Sequence, residues 1–312
     1  MGEGPNFPAV ARAISDWLPE VTRARALAWT LVSVPLSLAI GGPIISYVLI
    51  GVGWRWMFVL FGLFVLLWWP FWWYFYSNRP EQSRYVNQEE LSYIQQDQSS
   101  EIKRVNEAIV WRTFLTNPTI LSNNWAFFVF GYGLFFYLTW LPDYLEISHQ
   151  LNIKEVGLFS FLPWFLGALL LWSVGFLSDY VFIKTKKLRY ARSYLIMLGQ
   201  LLSFVSVLPI IFWHSMTVAL VCLSLTIAFS LSNNTVFYAT NIDVMKERAG
   251  SALALMNAGF ALSGFIAPTL TGWLVQETGT FQSAFILLMV LTLSSVITVF
   301  LAHHPDDKVS VR

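Results

Sequence analysis

The stretch of sequence that decides the fold is residues 193–242, SYLIMLGQLLSFVSVLPIIFWHSMTVALVCLSLTIAFSLSNNTVFYATNI, in which fifty consecutive positions contain no Asp, Glu, Lys or Arg. A helix needs about 20 apolar residues to cross the hydrocarbon core of a bilayer. His214 and Ser215 mark a turn near the middle, so this stretch predicts two membrane-spanning helices. Transmembrane strands alternate polar and apolar residues over about 10 positions, a pattern that these continuous runs lack.

The same pattern recurs on both sides of this stretch. Charged residues make up 12% of the 312 positions, against about 25% in soluble domains, and the mean hydropathy is +0.58. These values exclude a soluble enzyme, a nucleic-acid-binding protein and a disordered chain. The sequence predicts an all-α polytopic membrane protein whose uncharged stretches are Ala26–Val52, Trp56–Asn78, Thr113–Pro142, Val156–Ser178, Ser193–Met216, Thr217–Ile242, Ala249–Gln276 and Thr278–Ala302.

The positions of Lys and Arg predict the orientation of these helices. Alternate loops, beginning with the one at residues 16–25, carry 16 of these residues, whereas the intervening loops carry only Arg55 and Lys154. Cytoplasmic loops are enriched in Lys and Arg. We therefore expect a multi-pass protein of a cell membrane, the bacterial inner membrane, with its C-terminus in the cytoplasm.

An internal repeat predicts how the helices are organised. Asp16 followed by Ala26-Leu27-Ala28 recurs as Asp243 followed by Ala252-Leu253-Ala254. Two parallel six-helix repeats are an arrangement typical of major facilitator transporters. We interpret the chain as helices 4 to 12 of such a fold, truncated at its N-terminus, with eight complete spans and one partial span. The expected domains are a remnant of the first bundle (1–78), a cytoplasmic linker (79–112), a six-helix bundle (113–302) and a cytoplasmic tail (303–312).

Several short motifs, in order, resemble one family. In four places the chain is similar to the anion:cation symporter family of the major facilitator superfamily. The first place is Gly2–Ala9 with Asp16–Pro19 and Arg23-Ala24, and the second is Asn124-Trp125 with Tyr137 and Trp140–Tyr144. The third is Gly175–Asp179, and the fourth is Ala249-Gly250 with Asn257–Gly259, Gly264, Ala267-Pro268 and Gly272. The resemblance implies symport of a small organic anion, such as a hexuronate, an aldonate or glucarate, coupled to protons or sometimes to sodium. It also implies that Glu3 carries the coupling proton.

Polar residues within the predicted spans are candidates for contacts with a substrate. Thr226, Ser230, Asn233, Asn234, Phe237 and Asn241 follow helical spacing and predict one polar face. Such a face must meet protein or a water-filled cavity, so it either binds substrate or joins helices. The candidate substrate-binding residues are Asn124, Tyr132, Tyr137, Asn233, Asn234, Tyr238, Asn241 and Asn257.

Charged residues at the cytoplasmic end of the eighth helix are candidates for a gate. Asp179 precedes a basic run that contains Arg189, and opposite charges at helix ends can hold a gate closed. The alternative is that the basic run simply anchors the loop in the cytoplasm.

No cofactor or metal site is expected, because the four His residues have no ligand spacing and Cys222 is the sole cysteine. The expected partners are a small organic anion and the lipid bilayer, without nucleic acid, and the intact protein is expected to be a monomer. Two other interpretations stay open, a polytopic membrane enzyme and a non-functional remnant of a transporter.

Overall fold

The computed structural model describes residues 6–18, 20–95, 111–213, 215–245 and 248–306, and its regular elements are helical. Two short elements join the α-helices, a 3-10 turn at Pro80–Gln82 and a π-helical turn at Arg189–Ser193. The α-helices are α1 (Asn6–Trp17), α2 (Glu20–Phe75), α3 (Gln88–Gln95), α4 (Trp111–Thr116), α5 (Pro118–His149), α6 (Ile153–Thr185), α7 (Tyr194–Phe212), α8 (Met216–Ser232), α9 (Asn234–Met245), α10 (Ala249–Thr278) and α11 (Gln282–Ala302).

Local sequence signals explain where several helices begin and end. The Asn117 side chain accepts hydrogen bonds from the backbone N–H groups of the first turn of α5, and Pro118 stands directly after this cap. Asn152 and Glu155 form a capping box at the start of α6. Helix α6 ends at Lys186, whose backbone is left-handed, with φ 56°.

Helix α2 is long enough for two membrane crossings. Its apolar part, Ala28–Phe75, contains 48 residues, which correspond to about 72 Å of helix. The helical backbone is broken at Gly53, where φ is 78° and ψ is 165°, a conformation that glycine adopts readily. Gly53 lies between the predicted stretches 26–52 and 56–78, so the break falls where the sequence predicts a turn.

Six more segments in the described residues are long and apolar enough to cross a membrane: Pro118–His149, Ile153–Thr185, Arg189–Phe212, Met216–Met245, Ala249–Thr278 and Gln282–Ala302. The fourth of these joins α8 and α9. The uncharged stretch 217–242 predicts one continuous helix, whereas the structure interrupts it at Asn233, where φ is −81° and ψ is −9°.

The chain divides into two compact units. The first comprises Met1–Leu31 and Tyr47–Asn106, and the second comprises Val32–Ser46 and Glu107–Arg312. The second unit contains α5 to α11 together with a segment of α2. This segment packs closely on α6, since a Cβ atom at Gly157 would lie 2.9 Å from the Gly42 carbonyl oxygen. The expected division into a first bundle, a linker, a six-helix bundle and a tail stays a prediction.

The core of the second unit is apolar and rich in aromatic rings. Phe127, Phe136 and Phe285 on α5 and α11 are almost completely buried. The Phe136 and Phe285 rings lie 5.3 Å apart in an edge-to-face arrangement, which is favoured by the charge distribution of aromatic rings. This packed core supports the polar side chains of α5, α9 and α10.

Candidate functional site

The polar residues of the second unit fall into two groups by burial. Asn233 and Asn241 have no exposed surface, and Tyr132 and Tyr137 are almost completely buried. By contrast, Asn124, Asn234, Tyr238 and Asn257 are only half-buried. On the predicted polar face, Asn233 and Asn241 therefore lie buried between helices, whereas Asn234 reaches a partly exposed position.

Asn233 belongs to the buried group and joins α8 to α7. Its amide nitrogen donates a hydrogen bond to the Ile196 carbonyl oxygen at 3.3 Å. The side chain fits because residue 199 is glycine, where a Cβ atom would lie 2.6 Å from the Asn233 Oδ1 atom. This geometry is that of a polar contact between membrane helices.

Asn241 and Asn123 meet around one methionine. The Asn123 Nδ2 atom donates to the Phe237 carbonyl oxygen at 3.1 Å and lies 3.8 Å from the Met256 sulfur. The Asn241 Nδ2 atom lies 2.8 Å from the same sulfur. All three residues have no exposed surface, so this cluster joins α5, α9 and α10. Asn123 is not among the predicted binding residues, although it precedes Asn124 in the sequence.

Tyr238 and Asn257 form the most accessible polar pair of the predicted set. The Tyr238 hydroxyl donates to the Asn257 Oδ1 atom at 3.0 Å, and the Asn257 amide donates to the Leu253 carbonyl oxygen at 2.9 Å. The Tyr238 ring lies edge-to-face against Phe127 with the ring centroids 5.6 Å apart. A polar pair beside an aromatic wall is the kind of lining that binds the hydroxyl and ring-face groups of small organic molecules.

Asn124 lies on the same side of α5 as this pair. It precedes Phe127 by three residues, which places both on one helical face. The Asn124 Oδ1 atom is buried and has no hydrogen-bond partner among the described residues, and the same holds for Asn234 Oδ1. Buried amide oxygens are normally hydrogen-bonded, so both are free to accept a hydrogen bond from a ligand.

Charged residues gather at one end of the bundle around Arg192, which is 6% exposed. Its Nε atom lies 2.9 Å from Asp243 Oδ2, and its Nη1 atom lies 3.3 Å from Asp179 Oδ1 and also donates to Ser178 Oγ. We call Arg192, Asp179 and Asp243 the ion-pair cluster. It links the end of α6, the start of α7 and the end of α9.

The cluster includes one of the two residues predicted to form a gate. Asp179 and Arg189 are the predicted gating residues, and the arginine that contacts Asp179 in the structure is Arg192. The Arg189 guanidinium instead lies over the Tyr194 ring, at 5.9 Å. The reason is geometric: Arg192 lies within the π-helical turn that faces Ser178, a relation between two helices that spacing along the chain does not reveal.

Two features remain, the predicted coupling residue and a cleft in the first unit. Glu3, the predicted coupling residue, is outside the described residues. A cleft of about 580 Å³ lies in the first unit, and none of the polar residues above lines it; its lining residues are Ala9, Ala13, Asp16, Tyr76, Asn78, Arg79 and Gln82. In the part of the chain that the structure describes, His, Cys, Asp and Glu side chains form no group that could hold a metal ion.

Comparison with known proteins agrees with this arrangement of helices. The sequence profile of the Major Facilitator Superfamily matches residues 1–244 and 187–312, which together cover the whole chain. The chain belongs to the Major Facilitator Superfamily. This membership and the apolar helices make it a multi-pass membrane protein.

Curated relatives of this superfamily member include two bacterial proteins. A hexuronate transporter of Bacillus subtilis is 32% identical over 292 residues, which cover 92% of this chain and 67% of the transporter. A probable sulfoacetate transporter of Cupriavidus necator is 29% identical over 287 residues, which cover 92% of this chain and 66% of that protein. The chain thus spans about two thirds of the length of both relatives.

A solved structure with a similar fold is a bacterial homolog of the human lysosomal transporter Spinster, in an inward-facing and unoccupied conformation. The TM-score is 0.56 at 16% identity, and the match covers 97% of this chain and 74% of that one. At this level of identity the similarity supports the fold of the superfamily member and carries no information about its ligand.

Proposed function

We propose that this superfamily member acts in secondary active transport of a small organic anion, such as a sugar acid, by proton-coupled symport across a bacterial inner membrane. The observation that carries the proposal is the half-buried pair Tyr238–Asn257 beside Phe127. It is joined on the same side of α5 by Asn124, whose amide oxygen has no protein partner among the described residues. Relatives named as hexuronate and sulfoacetate transporters support an organic anion as the substrate.

The chemistry of the pair suits a hydroxylated anion. The Tyr238 hydroxyl and the Asn257 amide can both donate and accept hydrogen bonds, so they can exchange their mutual 3.0 Å bond for bonds to substrate hydroxyl groups. Phe260, which is half-buried and whose ring lies 5.2 Å from that of the buried Phe127, provides an apolar surface for the face of a sugar ring. The fully buried Asn233 and Asn241 would then act by holding the helices together.

In transport, the ion-pair cluster would help to close the predicted cytoplasmic end, and Glu3 would carry the coupling proton. A carboxyl group at membrane depth favours the protonated form, and it can release its proton when it reaches water. Loss of the Arg192 contacts with Asp179 and Asp243 would accompany opening of that end.

The test is uptake of radiolabelled glucuronate and sulfoacetate into proteoliposomes with an imposed pH gradient. Tyr238→Phe should lower uptake by a factor between about 5 and about 150, since loss of a hydrogen-bonding group at a site commonly costs about 1–3 kcal/mol of binding free energy. The matched control is Tyr180→Phe, because Tyr180 is an exposed tyrosine of α6. Equal uptake by both variants would contradict the role of the pair.

Coupling has a separate test in the same vesicles. Glu3→Gln should abolish accumulation driven by the pH gradient while leaving substrate counterflow largely intact. Accumulation that survives this change would refute the role of Glu3. Absence of uptake and binding in the unmodified chain would refute transport by this polypeptide and favour the interpretation of a non-functional remnant.

A further inference from the structure

The π-helical turn at Arg189–Ser193 carries the central residue of the ion-pair cluster, Arg192. A π-helical turn is less regular than an α-helix, and such turns occur frequently at functional sites. It therefore matters what keeps this turn in its conformation. Residues that follow the last helix contact both of its ends.

His303 holds the C-terminal end of the turn. It has no exposed surface, and its Nδ1 atom lies 2.6 Å from the Ser193 hydroxyl oxygen. The His303 carbonyl oxygen lies 3.3 Å from the same hydroxyl. Ser193, the neighbour of Arg192 in the chain, thus contacts the residue directly after α11.

Asp306 holds the N-terminal end of the turn. Its two carboxylate oxygens accept hydrogen bonds from the backbone N–H groups of Leu188 and Arg189, at 2.7 and 2.9 Å. The first N–H groups of a helix have no partner within the helix, and a carboxylate there is favoured by the helix dipole. Asp306 therefore acts as a charged cap supplied from more than a hundred residues further along the chain.

The same short segment reaches a third helix. The His304 N–H group donates to the Thr119 hydroxyl in the first turn of α5, at 3.1 Å. Pro305, between the two anchoring residues, is also buried. We call residues 303–306 the strap, since its contacts join α11, α5 and the start of α7.

We propose that the strap positions Arg192 for its contacts with Asp179 and Asp243 by holding the π-helical turn at both ends. Without the strap, the turn is free to adopt regular α-helical bonding, which changes the direction in which Arg192 points. The functional part of this inference rests on the proposed function, in which the ion-pair cluster closes one end of a transporter. The strap would then regulate how readily that end opens.

The first experiment measures amide hydrogen exchange of the full chain in lipid nanodiscs. In Asp306→Ala, exchange in peptides covering Leu188 and Arg189 should become about tenfold faster, which corresponds to about 1.4 kcal/mol. The matched control is Asp143→Ala, which removes an exposed carboxylate of α5 far along that helix from Thr119. Unchanged exchange in Asp306→Ala would overturn the inference.

The second experiment separates positioning of Arg192 from simple capping. Melting temperatures are measured for Asp306→Ala, Arg192→Gln and the double variant, because residues that act through one another give non-additive effects. The double variant should lose clearly less in Tm than the sum of the two single losses. Additive losses would mean that the strap caps α7 without positioning Arg192. Asp306→Asn, which keeps one acceptor oxygen, should recover part of the loss.

Neither experiment requires a substrate. Their outcome is therefore independent of uptake in proteoliposomes, and a chain that fails to transport can still confirm or refute the role of the strap. If the strap is confirmed and transport is found, Asp306→Ala should also change the rate of uptake while leaving the apparent substrate affinity nearly unchanged.

Discussion

Acidification should destabilise this protein through one buried imidazole, that of His303. The side chain lies after α11, where burial, together with the smaller effects of the positive charges of His304 and Arg189, lowers its pKa from the ordinary value of 6.5 to about 3. In the folded protein His303 therefore stays neutral across the physiological range. In the unfolded chain the same group takes up a proton as the pH falls below its ordinary pKa.

The sign of the effect follows from the number of protons that each state binds. Below pH 6.5 the unfolded state binds more protons at this position than the folded state, so the free energy of unfolding falls with pH until the folded group also titrates, near pH 3. Above pH 6.5 the contribution is constant. Between pH 7.5 and pH 5.5 the loss is about 1.4 kcal/mol, close to the 1.36 kcal/mol that one pKa unit represents.

The assay is thermal unfolding of the detergent-solubilised chain at the two pH values. A loss of this size corresponds to roughly 2 °C in Tm for a protein of this length. In His303→Asn the drop in Tm on acidification should be smaller than in the unmodified chain by that amount, because other titrating groups contribute equally to both. The matched control is His304→Gln, whose imidazole contacts the Leu301 carbonyl oxygen and is not fully buried.

Two results would refute this reasoning. The first is an equal drop in Tm for the unmodified chain and His303→Asn, which would mean that His303 does not stay neutral in the folded state. The second is a drop in His304→Gln that is as small as the one expected for His303→Asn, which would place the effect on the wrong imidazole.

Three other substitutions have expected outcomes in thermal unfolding. Gly199→Ala should lower the free energy of unfolding by about 1–3 kcal/mol because the new methyl group would collide with Asn233. The control is Gly259→Ala, which should be neutral or slightly stabilising because no atom lies within 4 Å of the Cβ position. Arg192→Gln should lower the free energy of unfolding by about 1–3 kcal/mol. This loss is at the lower end for a buried ion pair because the carboxylate partners of Arg192 are partly exposed. The loss should be smaller when Asp179 and Asp243 are also made neutral. Gly53→Ala should lower the free energy of unfolding by about 1–3 kcal/mol, since φ 78° with ψ 165° is a conformation that only glycine adopts readily; an unchanged Tm would mean that the break does not depend on glycine.

Much of the architecture could be predicted because it depends on hydrophobicity along the chain. The uncharged stretches predict the approximate limits of the long helices, and Gly53 lies between two of these stretches. The half-buried Tyr238 and Asn257 are among the predicted binding residues, and the contact between them is found in the structure. Whether either residue binds substrate stays a prediction.

Contacts between helices could not be predicted in the same way. The spacing of residues 226–241 predicts one polar face on a continuous helix, whereas the structure interrupts the helix at Asn233 and buries every member of that face except the half-buried Asn234. Pairing of Asp179 with Arg192 rather than Arg189 depends on the π-helical turn, which has no clear signal in the sequence.

The sequence by itself determined the class of this protein, an all-helical membrane protein. This follows because a bilayer imposes one simple rule, that apolar segments of sufficient length form helices with all backbone hydrogen bonds satisfied internally. Only the tertiary structure decided which polar side chains are buried and which residues the strap and the ion-pair cluster bring together. The strap contacts join residues more than a hundred positions apart, and the contacts of Arg192 join residues 13 and 51 positions apart. All of them depend on the direction of each side chain around its helix, which local sequence does not specify.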